Sequence, residues 1–271
     1  MLTKSAGRGA QLAVACAAVC ACLLLLSQAH GDEVATTGRQ VVEKWQNAVV
    51  TVRLVIKMTF AMGGSESHEE EQKSDVNGTV VDASGLTVVS LSEADPSEMF
   101  KRMAARAGGG EPQMNVESQV TDVKLRFADG TEVPAKIVLR DKDLDLAFVR
   151  PAEKLAQPVA AADLTQSAAP QVLDEVITLV RLGDFGDWAI APRVDRIQAI
   201  LAKPRTVYIP QDSDRSGAPV FSLEGKMVGV TVVRLPSGPS AAPAMENMGG
   251  LMVILPAADI LEVAQQALAA Q

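Results

Sequence analysis

The chain has 271 residues, of which 48% are hydrophobic, 21% charged and only 3% aromatic. That is the composition of a globular protein with ample apolar material for a core, and it excludes a disordered or fibrous chain. With 25 Lys and Arg against 33 Asp and Glu, a net charge of −8, it also excludes nucleic-acid binding, which needs a concentrated basic face.

The amino-terminal stretch reads as an export signal. Lys4 and Arg8 make a positive start, residues 12–26 are apolar without interruption, and Ser27-Gln28-Ala29 sets small residues at a cleavage site. The apolar stretch is shorter than the roughly 20 residues of a spanning helix. Residues 1–29 are therefore expected to be a cleaved signal peptide, with the cut between Ala29 and His30 and the mature protein secreted or periplasmic. Cys16, Cys20 and Cys22 all lie in that segment, so the mature chain would hold no disulfide and no thiol nucleophile.

After an N-terminal segment at 30–48, short strands follow one another. Residues 49–56 are rich in β-branched side chains. Residues 63–74 are polar, carry Glu69-Glu70-Glu71 and read as a loop. Strands at 78–82 and 86–90 flank Ala83-Ser84-Gly85, a hairpin turn with glycine for the positive φ. Residues 123–127 alternate apolar and charged side chains, and 132–139 and 144–150 continue the pattern. One insert, 95–110, opens with Asp95 as N-cap, Pro96 and Glu98, puts Met99, Phe100 and Met103 on one helical face, and ends at Gly108-Gly109-Gly110.

Residues 151–170 read as a linker between two halves. Strands resume at 175–182, 194–201, 206–209, 219–222, 226–233 and 251–255, with a small-residue loop at 236–250. Residues 257–270 form a closing helix with Leu261, Val263 and Leu268 on its apolar face. No helical pattern alternates with the strands, so the expectation is all-β: a first barrel at 49–150, a second at 171–256 and a C-terminal helix at 257–271.

Two pieces carry the chemistry. Asp143-Leu144-Asp145-Leu146-Ala147-Phe148-Val149 puts an acid at the head of a buried strand, where Asp145 needs hydrogen-bond partners. Asp214-Arg215-Ser216-Gly217-Ala218-Pro219 is a small-residue turn leading into a strand of the second half. In this order, on two successive β halves, the pieces resemble the trypsin-like serine proteases of the HtrA/Deg type. The run Phe127-Ala128-Asp129-Gly130-Thr131-Glu132, the hairpin Leu223-Glu224-Gly225-Lys226-Met227-Val228-Gly229 and the strand Gly250-Leu251-Met252-Val253-Ile254-Leu255-Pro256 extend the resemblance over most of 49–270.

The resemblance implies two six-stranded β-barrels with a site between them, Ser216 at the nucleophile position, Asp145 at the acid position, and Asp214 and Arg215 in the oxyanion region. Many members carry a peptide-binding PDZ domain after the closing helix; none is expected in a sequence that ends at Gln271. At the position implied for the catalytic histidine stands Ser92, and the chain has only His30 and His68. A glycine of the family's pattern is replaced by Asp214 and another by Ala218.

A serine hydroxyl is a poor nucleophile without a base to take its proton, and loss of the triad base costs on the order of 10⁶ in turnover. The reading is therefore a secreted trypsin-like pseudoprotease that binds protein or peptide partners through the inter-barrel cleft and the insert. Two alternatives stand beside it: an active serine endopeptidase using Ser216 with an unidentified base, and a structural envelope protein. No cofactor, no metal, no nucleic acid and, after signal cleavage, no membrane are called for, and the oligomeric state is left open.

Overall fold

A computed structural model describes residues 33–62, 67–97, 114–212, 215–234 and 250–270. Helix α1 (33–45) and a 3-10 turn (Gln46–Ala48) lead into β1 (Val49–Met62), β2 (His68–Val80), β3 (Thr87–Ser90), the single helical turn α2 (Leu91–Ala94), β4 (Met114–Arg126), β5 (Glu132–Asp141) and β6 (Leu146–Pro151). These strands close into a barrel in the order β1-β2-β3-β6-β5-β4. Then β7 (Glu175–Arg181), β8 (Ile190–Leu201), β9 (Val207–Pro210), β10 (Pro219–Ser222), β11 (Met227–Arg234) and β12 (Leu251–Pro256) close a second barrel in the order β10-β11-β12-β9-β8-β7, followed by α3 (Ala257–Ala269).

Period-two alternation fills each barrel. Val50, Val52, Leu54, Ile56 and Met58 of β1 point inward onto Val76, Val89, Leu125 and Val149. The second barrel is filled by Val176, Ile197, Tyr208, Val220, Val228 and Ile254. The largest cluster lies between the barrels: Leu86, Val88, Leu146 and Phe148 pack from the first onto Ile177, Leu179, Phe221, Val230 and Val232 of the second, and onto Ile260, Val263 and Ala264 of α3. β3 is buried on both faces, one lining its barrel and the other meeting its neighbour. Burial of each such large side chain contributes roughly 1.5–3 kcal/mol, so the two barrels are joined by a core of their own.

Polar ties reinforce the joint. The buried Arg181 guanidinium donates to the carbonyls of Gln46 (2.7 Å), Val49 (2.7 Å) and Trp188 (2.8 Å), while its backbone N–H donates to Asn77 Oδ1. Arg150 of β6 donates to the carbonyls of Ala267, Leu268 and Ala270, satisfying the last turn of α3 with a cation at its negative end. Trp45 stacks on Phe221 with ring centroids 5.3 Å apart and donates to the Gly225 carbonyl, pinning α1 to the second barrel.

Several local expectations change. Glu69, Glu70 and Glu71 belong to β2, not to a loop, and pair with Thr59, Met58 and Lys57 of β1; His68 pairs with Phe60. β1 also pairs with β4 as far as Met62 and Met114, so a three-stranded arm extends beyond the barrel. An acid-rich stretch has little strand propensity of its own, and pairing against β1 overrides it. The closing helix buries Ala257, Ile260, Val263, Ala264 and Ala267, while Leu268 is 43% exposed, because the buried stripe runs through its alanines. In the insert, Met99, Phe100, Met103 and Gly108 to Gly110 lie outside the described residues; Asp95 accepts hydrogen bonds from Ser97 and from Ser118 of β4.

Candidate functional site

The site forms where the chain turns after β3, before β6 and before β10. Before β6, Asp141 Oδ1 accepts the N–H groups of Asp143 and Leu144, both at 3.0 Å, and folds a tight turn. That turn ends at Asp145 with φ +59, a left-handed conformation that aspartate tolerates better than most residues. The geometry lifts the Asp145 side chain off the strand and into the space between the barrels, where the residue is 3% exposed.

Four donors converge on its carboxylate. Oδ1 accepts the Ser92 hydroxyl (2.5 Å) and the Ser92 N–H (2.8 Å); Oδ2 accepts the Ser90 hydroxyl (2.7 Å) and, from the second barrel, the Val233 N–H (2.9 Å). A carboxylate offers about four lone-pair positions, so this one is saturated. Burial pushes the Asp145 carboxyl above the usual carboxylate range, and the hydrogen bonds from Ser92, Ser90 and the Val233 N–H oppose that rise. In an extended strand Ser90 and Ser92 would lie on one face with Leu91 between them; instead the chain enters α2 at Leu91, whose N–H donates to the Asp145 carbonyl.

Across the interface, the turn before β10 is held by Thr231 and Thr79. Thr231 Oγ1 donates to the Arg215 carbonyl (2.7 Å) and accepts the Ala218 N–H (3.0 Å), and the Gly217 N–H donates to the Thr231 carbonyl (2.7 Å). Thr79 of β2 donates to the Gly217 carbonyl at 3.1 Å. Gly217 has φ +74, and a Cβ there would stand 2.2 Å from the Asn77 carbonyl oxygen and 3.6 Å from the Ser90 nitrogen. Glycine is needed for both reasons, and its bare backbone lets the second barrel's turn press against β2 and β3 of the first.

That turn delivers Ser216, 1% exposed, with its Oγ buried and without a hydrogen-bond partner. Beside it lies Glu93 of α2, a residue that the sequence reading did not single out. Burial pushes the Glu93 carboxyl above the usual carboxylate range; the Ser216 hydroxyl and N–H and the Arg215 charge oppose the rise, and the Asp145 charge adds to it. No partner meets the Ser216 Oγ at bonding distance and angle. The signal for Glu93 was its place next to Ser92: once the chain turns helical there, two successive side chains reach the interface.

Asp145, Ser92 and Ser216 thus gather at one place, with Ser90 and Glu93 added. The Arg215 side chain is exposed, and Asp214 lies outside the described residues. His30 also lies outside them, and His68 stands at the far end of β2. It is 11 residues from Thr79, whose hydroxyl reaches Gly217, along a strand in unbroken register. At about 3.3 Å per residue that separation is roughly 35 Å, which puts His68 out of reach of Ser216 in its own chain. The constellation therefore joins one carboxylate to serine hydroxyls, with Ser92 seated on Asp145.

The family model of the trypsin-like peptidase domain matches residues 34–230. No curated protein matches the chain.

Proposed function

Because the chain belongs to the trypsin-like peptidase family, we propose that it is a pseudoprotease of that fold, nearest in character to the HtrA/Deg branch, exported from the cytoplasm and acting by binding protein or peptide partners. The observation that carries this reading is the saturated Asp145 carboxylate. In a working triad the acid accepts an imidazole N–H and the imidazole accepts the serine proton. Here Ser92 takes the place on the acid and extends no base to Ser216. A neutral hydroxyl is far too weak a base to receive a proton from another hydroxyl near neutral pH.

What supports partner binding is the retained frame: two barrels locked by a shared core, with the turn at Ser216 still held by Thr231 and Thr79. The export signal at 1–29 supports a secreted or periplasmic setting. The test is labelling of the purified protein with a fluorophosphonate probe, which reacts with base-activated serines. No labelling of folded protein is expected. Labelling that disappears in Ser216→Ala would overturn the proposal.

A further inference from the structure

The arm of β1, β2 and β4 has two outer strands, and their edges differ. β4 is joined by β5 only at 124–126, and along the arm its register against β1 shifts between Val55 and Ile56. There the Thr121 hydroxyl donates to the Val55 carbonyl, and Ser118 is bonded to Asp95. Bulges of this kind blunt a sheet edge. β2 has no such device. It pairs with β1 in unbroken register from Thr79 to His68, β3 joins it only at Thr79 and Val80, and it contains no proline.

The phase of β2 follows from its neighbours. The Val81 N–H donates to the Leu86 carbonyl at 2.8 Å, and Thr79, two residues earlier, faces Val88. The backbone groups of Thr79 therefore turn toward β3, and those of every second residue before it turn to the same side. Asn77 comes next, with its carbonyl oxygen against Gly217. Beyond it stand Asp75, Lys73, Glu71 and Glu69, whose N–H and C=O groups face away from β1 and meet no backbone partner among the described residues. Their side chains are exposed as well. An extended, unpaired edge of this kind is a template for one more strand.

We propose that the β2 edge from Glu69 to Asp75 takes an extended basic segment of a partner protein as an added strand. Charge decides the occupant. The edge carries Glu69, Glu70, Glu71 and Asp75 against Lys73. Asp75 is ion-paired to Arg53 and Glu69 to Lys57, which leaves Glu70 and Glu71 without an ion-pair partner among the described residues. Successive side chains point to opposite faces, so a lysine or arginine on either face of the incoming strand meets a carboxylate. A second copy of the same edge would set Glu against Glu, which opposes pairing. The charge that bars self-association thus selects a basic strand. Ser216 takes no part, so this binding stands apart from the pseudoprotease reading.

The experiment titrates the purified protein, by fluorescence anisotropy, with a labelled peptide of alternating lysine and threonine and with its glutamate–threonine counterpart. Each is about ten residues long, enough to cover the edge at about 3.3 Å per residue. Backbone amide exchange is followed by NMR. The basic peptide is expected to bind and the acidic one not. The amides of Glu69, Glu71, Lys73 and Asp75 are expected to become protected, while those of Glu70, Gln72 and Ser74, which turn toward β1, stay unchanged. Glu70→Gln combined with Glu71→Gln is expected to weaken binding at least fivefold at low salt, less as salt is added. Lys73→Pro removes a positive charge, which favours a basic ligand, but also an outward N–H that the ladder to β1 does not use. A loss of at least tenfold is expected for it, whereas Lys73→Ala binds at least as tightly as wild type. No binding of the basic peptide, protection without the alternation, an unchanged Glu70/Glu71 variant, or a Lys73→Pro protein that binds like Lys73→Ala overturns the proposal. So does alternating protection that rises with protein concentration without peptide, which would make a second copy the occupant. The protection pattern is read in the wild type and depends on the folding of no variant, and none of these outcomes bears on labelling at Ser216.

Discussion

Asp145 and Ser216 are the acid and the hydroxyl at the two ends of the candidate site, and they are treated differently. Both are buried, at 3% and 1% exposure. Asp145 has four hydrogen-bond donors, two of them serine hydroxyls from β3 and α2, whereas the Ser216 Oγ has none. The difference follows from charge. An ionised carboxylate cannot remain buried without partners, whereas an unpaired hydroxyl costs about 1–3 kcal/mol, which a well-packed domain tolerates. The acid end of the site must therefore be filled and the hydroxyl end need not be.

The comparison can be broken most directly at the acid. Asp145→Ala leaves two hydroxyls and two backbone N–H groups without their acceptor, and a loss of about 4 kcal/mol is expected by urea denaturation at neutral pH. Ser216→Ala, at the other end, removes an unpaired atom and is expected to be close to neutral; a comparable loss would erase the asymmetry. The contact between the two ends is tested at Gly217. Alanine there meets the Asn77 carbonyl and keeps a φ of +74, with an expected loss of roughly 3 kcal/mol in the same assay.

A pH series sharpens the comparison at Glu93. Its carboxyl is raised by burial, so between the ordinary carboxylate range and its raised value the folded protein holds a proton that the unfolded chain releases. Stability from this group is greatest at the acid end of that window and falls as pH rises through it. Glu93→Gln lacks the effect. Its urea midpoint relative to wild type is therefore expected to climb as pH rises above the ordinary carboxylate range, and a flat difference would mean that Glu93 is not desolvated. Asp145 is raised as well and its charge acts on Glu93, so the difference reports Glu93 together with its coupling to Asp145. The smallest effect belongs to His68→Ala at the exposed end of β2, expected within 0.5 kcal/mol in stability, and without consequence for labelling at Ser216.

Much of the site was legible because its parts are local in sequence. The acid heads an apolar strand, the glycine follows the serine, and a serine stands where the resemblance implies a histidine; each can be read from a few neighbouring residues. Ser90 and Glu93 were not legible, since both depend on where β3 stops. One residue more of extended backbone would turn residue 93 to the other face, and only the Leu91 N–H bond to the Asp145 carbonyl starts the helical turn there. The arm of β1, β2 and β4 was missed for a related reason: Glu69 to Glu71 carry no strand signal, and Lys57, paired with Glu71 and ion-paired to Glu69 at 2.8 Å, lies across the sheet.

Sequence alone determined that the chain is two β halves with a closing helix, because barrel interiors demand alternating apolar residues and turns demand glycine at positive φ. It also determined that no imidazole lies between His68 and Gln271. Only the tertiary structure decided what meets the acid: the Ser90 and Ser92 hydroxyls and the Val233 N–H on Asp145. Those partners come from two barrels and from a change of backbone conformation at one residue, and hydrogen-bond geometry across a packed interface is not written in local periodicity.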